Sequence, residues 1–204
     1  MTSFTARLEQ IRMITSLYNK LQGLKMIPVA IYLFGIALYR SELWHWFTIW
    51  NPLSTLGLLV LCIAGYLAID KYYKRNFGRV TSKSPEQIAE WMLPGLLAVL
   101  LIAFGYIEFY AVLPLSLSCL VISVILFYFY REERSLRQHY LFWSIIVFLM
   151  GILPIFGLYS PSQVYLMGPD AQISLVVLGV VLLSAGLIDH SKLVQTFSAN
   201  TETA

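Results

Sequence analysis

Charge is scarce in this chain. Of 204 residues only 12% are Asp, Glu, Lys or Arg, while 58% are hydrophobic. A soluble domain is about a quarter charged, so the composition indicates an integral membrane protein. Cysteine is nearly absent, and both Cys62 and Cys119 fall inside apolar segments. That excludes a disulfide framework and makes them small packing residues. A net charge of +3 gives nucleic acid no electrostatic footing. The sequence contains no G-x-S-x-G, no H-E-x-x-H, no Walker glycine loop and no C-x-x-C. The usual nucleophile, zinc, nucleotide and redox centres therefore lack their residues at the required spacing. His45 stands alone at its end of the chain's spans, which leaves no facing pair for haem. No cofactor, metal or catalytic residue is expected. The first 23 residues lack an apolar core and a small-residue cleavage site, so a cleavable signal peptide is not expected either.

What the chain does contain is apolar helix. Leu24–Tyr39, Leu53–Ile69, Trp91–Tyr110, Leu115–Tyr130, His139–Leu158 and Gln172–Ile188 read as six spans. The breaks between them are informative. Trp44, Trp46, Phe47 and Trp50 form an aromatic interface belt before Asn51-Pro52. Ser84-Pro85-Glu86-Gln87 offers an N-cap, a first-turn proline and a capping-box Gln. Pro94 predicts a kink in the third span, and Leu113-Pro114 allows only a tight turn. Before the first span, Phe4, Leu8, Ile11, Ile14, Leu17, Tyr18, Leu21 and Leu24 recur at three- and four-residue spacing, which predicts an amphipathic helix on a membrane surface. The expected fold is all-α: an amphipathic helix over 1–23, a bundle of six transmembrane helices over 24–190 built as three antiparallel hairpins, and a polar tail over 191–204.

The basic residues give an orientation. Arg7, Arg12 and Lys20 precede the first span and Lys25 stands at its very start, and Lys71, Lys74, Arg75, Arg79 and Lys83 follow the second. Arg131, Arg134 and Arg137 follow the fourth span, and Lys192 the sixth, leaving Arg40 alone opposite. The positive-inside rule then places both termini in the cytoplasm.

The three hairpins resemble one another. Phe34-Gly35, Phe104-Gly105 and Phe156-Gly157 recur near one face, and Pro52-Leu53-Ser54 matches Pro114-Leu115-Ser116. Triplication of a hairpin is one reading; the common demands of short hairpins are the other. Each even span closes on a carboxylate beside a base, at Asp70, Glu132 and Asp189. Carboxylates at helix C-termini are mildly unfavourable, which calls for specific partners. With His139 and His190 at the same face, these residues form a candidate polar cluster. Glu108 is the one charge between Trp91 and Tyr130 and the candidate intramembrane acid, because desolvating an ionised side chain is costly; the alternative is that it reaches the interface.

Glu132-Glu133-Arg134-Ser135-Leu136-Arg137 resembles the EExxxR signature of membrane CAAX-type proteases, where the acidic pair belongs to a centre that activates water. The F-x-x-x-H element of that family has no counterpart here. Asp70-Lys71-Tyr72-Tyr73 with Phe77-Gly78, and Gly186-Leu187-Ile188-Asp189-His190, resemble segments of small uncharacterised bacterial multi-pass membrane proteins. That resemblance implies a plasma-membrane location and no activity.

The expected function is non-enzymatic: a sensing, regulatory or accessory subunit. Its partners would be anionic lipid headgroups at the cytoplasmic face and a protein or a second copy of the chain. The alternative is a transporter of small solutes or lipids, in which Glu108, Pro94 and Pro154 would mark the pathway.

Overall fold

A computed structural model describes residues 21–40, 52–76, 96, 99–108, 110–111, 113–132, 134, 136–158, 160, 164–165 and 172–201. Among them all regular structure is helical. A 3-10 turn, Gly23–Lys25, leads into α1 (Met26–Arg40). Helix α2 is Pro52–Asn76 and α3 is Val99–Glu108. Then come α4 (Leu117–Glu132), α5 (Gln138–Ile152) and α6 (Gln172–Thr201). Among the described residues three stretches are long and apolar enough to cross a membrane: Leu56–Asn76, Gln138–Phe156 and Gln172–Thr196. The shortest of these has 19 residues, about 28 Å of helix against roughly 30 Å of hydrocarbon. The amphipathic periodicity over 1–20, the aromatic belt, the Ser84–Gln87 cap and Pro94 lie outside the described residues.

Two helix ends differ from the sequence reading. The second apolar helix does not stop at Asp70 but continues through Lys71-Tyr72-Tyr73-Lys74-Arg75 to Asn76. Lysine and arginine are good helix formers, and Lys74 pairs with Asp70 one turn back. The last helix likewise runs past Asp189-His190 to Thr201, because Leu193 is fully buried against Leu21 and Tyr73. Asp70 and Asp189 are thus interior helical residues, and the helix-end penalty does not apply to them. At the far end of α5 the chain tightens into a 3-10 turn, Leu153–Phe156, containing Pro154. It stops at Gly157, whose φ of 70° is a left-handed conformation that favours glycine.

Packing follows stripes of small and apolar residues spaced three and four apart. Helices α1 and α6 run antiparallel in close contact. A Cβ on Gly23 would lie 2.2 Å from the Gly186 carbonyl oxygen, and one on Gly179 would lie 2.7 Å from the Phe34 ring. Small residues permit backbones to approach this closely. Helix α2 lies antiparallel on the other side of α1, with Leu58 against Gly35 and Pro28 against Gly65. Helices α4 and α5 form a second antiparallel pair. Ser116 N–H donates to Gly151 O over 2.9 Å, and Phe129 and Tyr140 meet edge to face at 5.7 Å. The core joining the pairs consists of Cys119, Leu126, Tyr140, Val147, Met150, Val164, Leu178, Val181 and Ala185. Large apolar side chains such as Leu61, Leu67, Phe142 and Leu187 point outward, as a lipid-facing surface requires.

Candidate functional site

These antiparallel pairings bring the start of α1, the ends of α2 and α4, the start of α5 and the last third of α6 to one end of the bundle. Lys25, Lys71, Lys74, Arg75, Arg131, Arg134, Arg137 and Lys192 are all there. This basic end also holds the five residues of the polar cluster, in two groups back to back on α6.

The first group surrounds Asp189, which is 1% exposed. It belongs to the buried stripe Leu178, Val181, Ala185, Asp189, Leu193, so the helix that holds the core also holds the carboxylate inside. The Tyr140 hydroxyl donates to its Oδ2 over 2.8 Å. His139 Nε2 lies 3.2 Å from Oδ1, but the approach is not aligned as a hydrogen bond, and neither atom has one among the described residues. Arg137 is buried below Tyr140, its guanidinium 5.5 Å from that ring and 5.7 Å from Phe129. Its Nη1 reaches Glu132 at 3.9 Å. Three of the group's side chains therefore lie on α5 or just before it, α4 supplies Glu132 and α6 supplies Asp189. Glu133, the other acid of the EExxxR stretch, lies outside the described residues.

The second group faces α1 and α2. Tyr73 is fully buried; its hydroxyl accepts from Leu24 N–H over 3.1 Å and shares a 3.1 Å hydrogen bond with His190 Nδ1. Asp70 sits between Lys25, at 2.6 Å, and Lys74. Sequence reading found the acids and histidines here but missed Tyr73, Tyr140 and Lys25, which provide the contacts. A three-and-four spacing was the available signal: Leu58, Cys62, Gly65, Ile69 and Tyr73 are, with Asp70, the shielded positions among the described side chains of α2.

Glu108 lies at the opposite end and is 3% exposed. It does not reach outward. Its Oε1 accepts from Ser118 N–H over 2.7 Å and from the Ser116 hydroxyl over 3.0 Å. Ser116 Oγ in turn accepts from Cys119 N–H over 3.3 Å. Ser116 is therefore the N-cap of α4 and Glu108 a second cap contributed by the preceding helix, so two of the otherwise orphaned N–H groups are satisfied. A carboxylate is also favoured by the positive end of the helix dipole. The turn between them is held by Tyr165, whose hydroxyl accepts from Leu113 N–H over 2.6 Å and donates to the Leu113 carbonyl. Among the described residues, no three His, Cys, Asp or Glu side chains converge as a metal site.

Compared with family models, curated proteins and solved structures, the chain matches none.

Proposed function

We propose that the chain is a multi-pass protein of the plasma membrane, acting as a non-enzymatic sensing, regulatory or accessory subunit. In this reading six spans form three antiparallel hairpins, an amphipathic helix over 1–23 lies on the cytoplasmic surface, and both termini are cytoplasmic. The segregation of basic residues supports that orientation. The basic end is then the face that meets anionic headgroups and a protein partner.

One observation favours this reading over a transporter: the serine hydroxyls in the middle of the described helices are taken up by backbone carbonyls. Ser123 and Ser144 satisfy each other, each hydroxyl 2.9 Å from the other's carbonyl oxygen. Ser184 bonds back to Val180 and Val181 of its own helix. Glu108 is engaged as a helix cap. A transport path needs polar groups free to replace solvent around a solute, and the Ser123, Ser144 and Ser184 hydroxyls are committed to the backbone. Polar side chains able to respond to a partner gather instead at the basic end.

In-cell crosslinking from Lys71 and Arg75, followed by purification, should yield one protein at fixed stoichiometry. The purified chain in vesicles should conduct protons and small solutes no faster than empty vesicles. Lipid as the sole crosslinked species, together with solute flux above background, would replace this reading with the transporter.

A further inference from the structure

The basic side chains gathered at one end of the bundle are of two kinds. Some are spent within the protein: Lys25 and Lys74 on Asp70, Arg137 on Glu132, and Lys192 on the Leu136 carbonyl. Lys71 and Arg75 of α2 are exposed and meet no carboxylate among the described residues. We propose that these two hold the phosphate of one anionic phospholipid, whose acyl chain lies along α2. This deepens the reading of the basic end as a headgroup-facing surface, and rests on it.

A phospholipid is a long apolar chain with charge at one end, and α2 presents matching surfaces in the same order. Leu59, Ile63 and Leu67 are exposed at four-residue intervals, and Lys71 and Arg75 continue that row. Residues four apart share a helix face, so the apolar and basic positions form one line. The helix rises about 28 Å from Pro52 to Lys71, against roughly 30 Å of hydrocarbon. Lys71 therefore stands where acyl chains end and phosphates begin. Arg75 is about 6 Å further along the axis, so a phosphate between them meets an ammonium from one side and a planar guanidinium fork from the other. Beside them the Lys25–Asp70–Lys74 group carries two positive charges against one negative. This local excess outweighs the roughly −0.5 charge at the end of a helix, which favours an anionic lipid over a zwitterionic one.

Exposed apolar rows on the other helices end differently. Leu149, Ile145 and Phe142 of α5 lead to Gln138, and Val180 and Leu187 of α6 lead to Ser191. Lys25, before the start of α1, is held by Asp70. On α4, Val124 and Phe127 lead to Arg131, but an acid, Glu132, follows it directly. An acidic protein segment would use the two bases of α2 without the apolar row that precedes them, whereas a lipid uses both.

The test counts lipids retained by the full chain in native mass spectrometry, after reconstitution in vesicles of equal parts phosphatidylcholine and phosphatidylglycerol. One phosphatidylglycerol per chain should be retained in preference to phosphatidylcholine. Lys71→Gln and Arg75→Gln should each lower that preference about fivefold, the effect of one base near an anionic surface. Arg131→Gln, an equal change of net charge at an exposed position, should leave it intact. No preference in the native chain would overturn the proposal, and this measurement needs no variant to fold. An equal loss with Arg131→Gln would also overturn it, by showing diffuse attraction in place of a seat on α2. A protein crosslinked from Lys71 with no phosphatidylglycerol retained would give these bases to the partner, overturning the lipid seat and leaving the subunit reading in place. Retained phosphatidylglycerol without a protein partner would do the reverse.

Discussion

Glu108 illustrates how an acid within an apolar chain can be used by its own backbone. Its Oε1 receives Ser118 N–H at 2.7 Å, an interaction that needs an acceptor but not a full charge. Glu108→Gln, which keeps a carbonyl oxygen, should therefore cost at most about 1 kcal/mol, the size of a charge–dipole contribution. Glu108→Ala leaves a buried N–H without a partner and should cost about 1–3 kcal/mol. Unfolding in mixed micelles measures both, and equal losses would show that the charge itself matters. From sequence alone Glu108 could be recognised as an isolated intramembrane acid, but not as a cap. The capped helix begins eight or more residues later, and only the turn pinned by Tyr165 brings the two together. Asp189 was more legible. Its place one turn after Ala185 and one before Leu193 marks a buried position, and the burial of Asp189 then demands a donor such as Tyr140.

At the scale of helices, the pairing of α4 with α5 is fixed midway by Ser123 and Ser144, each hydroxyl directed at the other's carbonyl. The two substitutions should be non-additive. A double-mutant cycle with Ser123→Ala and Ser144→Ala is expected to give a coupling of about 0.6 kcal/mol, and no more than roughly 1.7, as found for side-chain hydrogen bonds between membrane helices. A coupling near zero would mean that each serine bonds its own helix once the other is removed. Helix existence was readable from the apolar runs; helix extent was not. Lys71 to Arg75 carry the charge expected of a loop, yet they have good helix propensity and an acid one turn back at Asp70. Charge content says where water is, and backbone conformation can continue into it.

For the molecule as a whole, charge segregation makes a claim about sides that can be checked directly. Single cysteines at Lys71, Arg134 and Lys192, in a chain without its two native cysteines, should react with an impermeant maleimide only when the cytoplasmic face is open. A cysteine at Leu158, at the opposite end, should react only from the other side. Any of the three basic-end positions labelling with Leu158 would remove the six-span topology. Class and membrane character were legible because composition alone excludes a soluble core. Partner choice among helices was not, since Gly23, Ala30, Ala37, Gly179 and Gly186 look in sequence like small residues of any apolar helix. Only their facing positions show that α1 and α6 fit each other.

That fit joins two helices far apart in the sequence. Gly186 is made long after Gly23, with α2 to α5 in between, so the close backbone contact of Gly23 with Gly186 cannot form until α6 has been made. Until then α1 presents a small-residue groove to the bilayer with only α2 beside it. The last helix therefore acts as the closing piece during biogenesis. A chain interrupted before α6 should remain open to protease or chaperone, and the bundle can shut only once α6 is present.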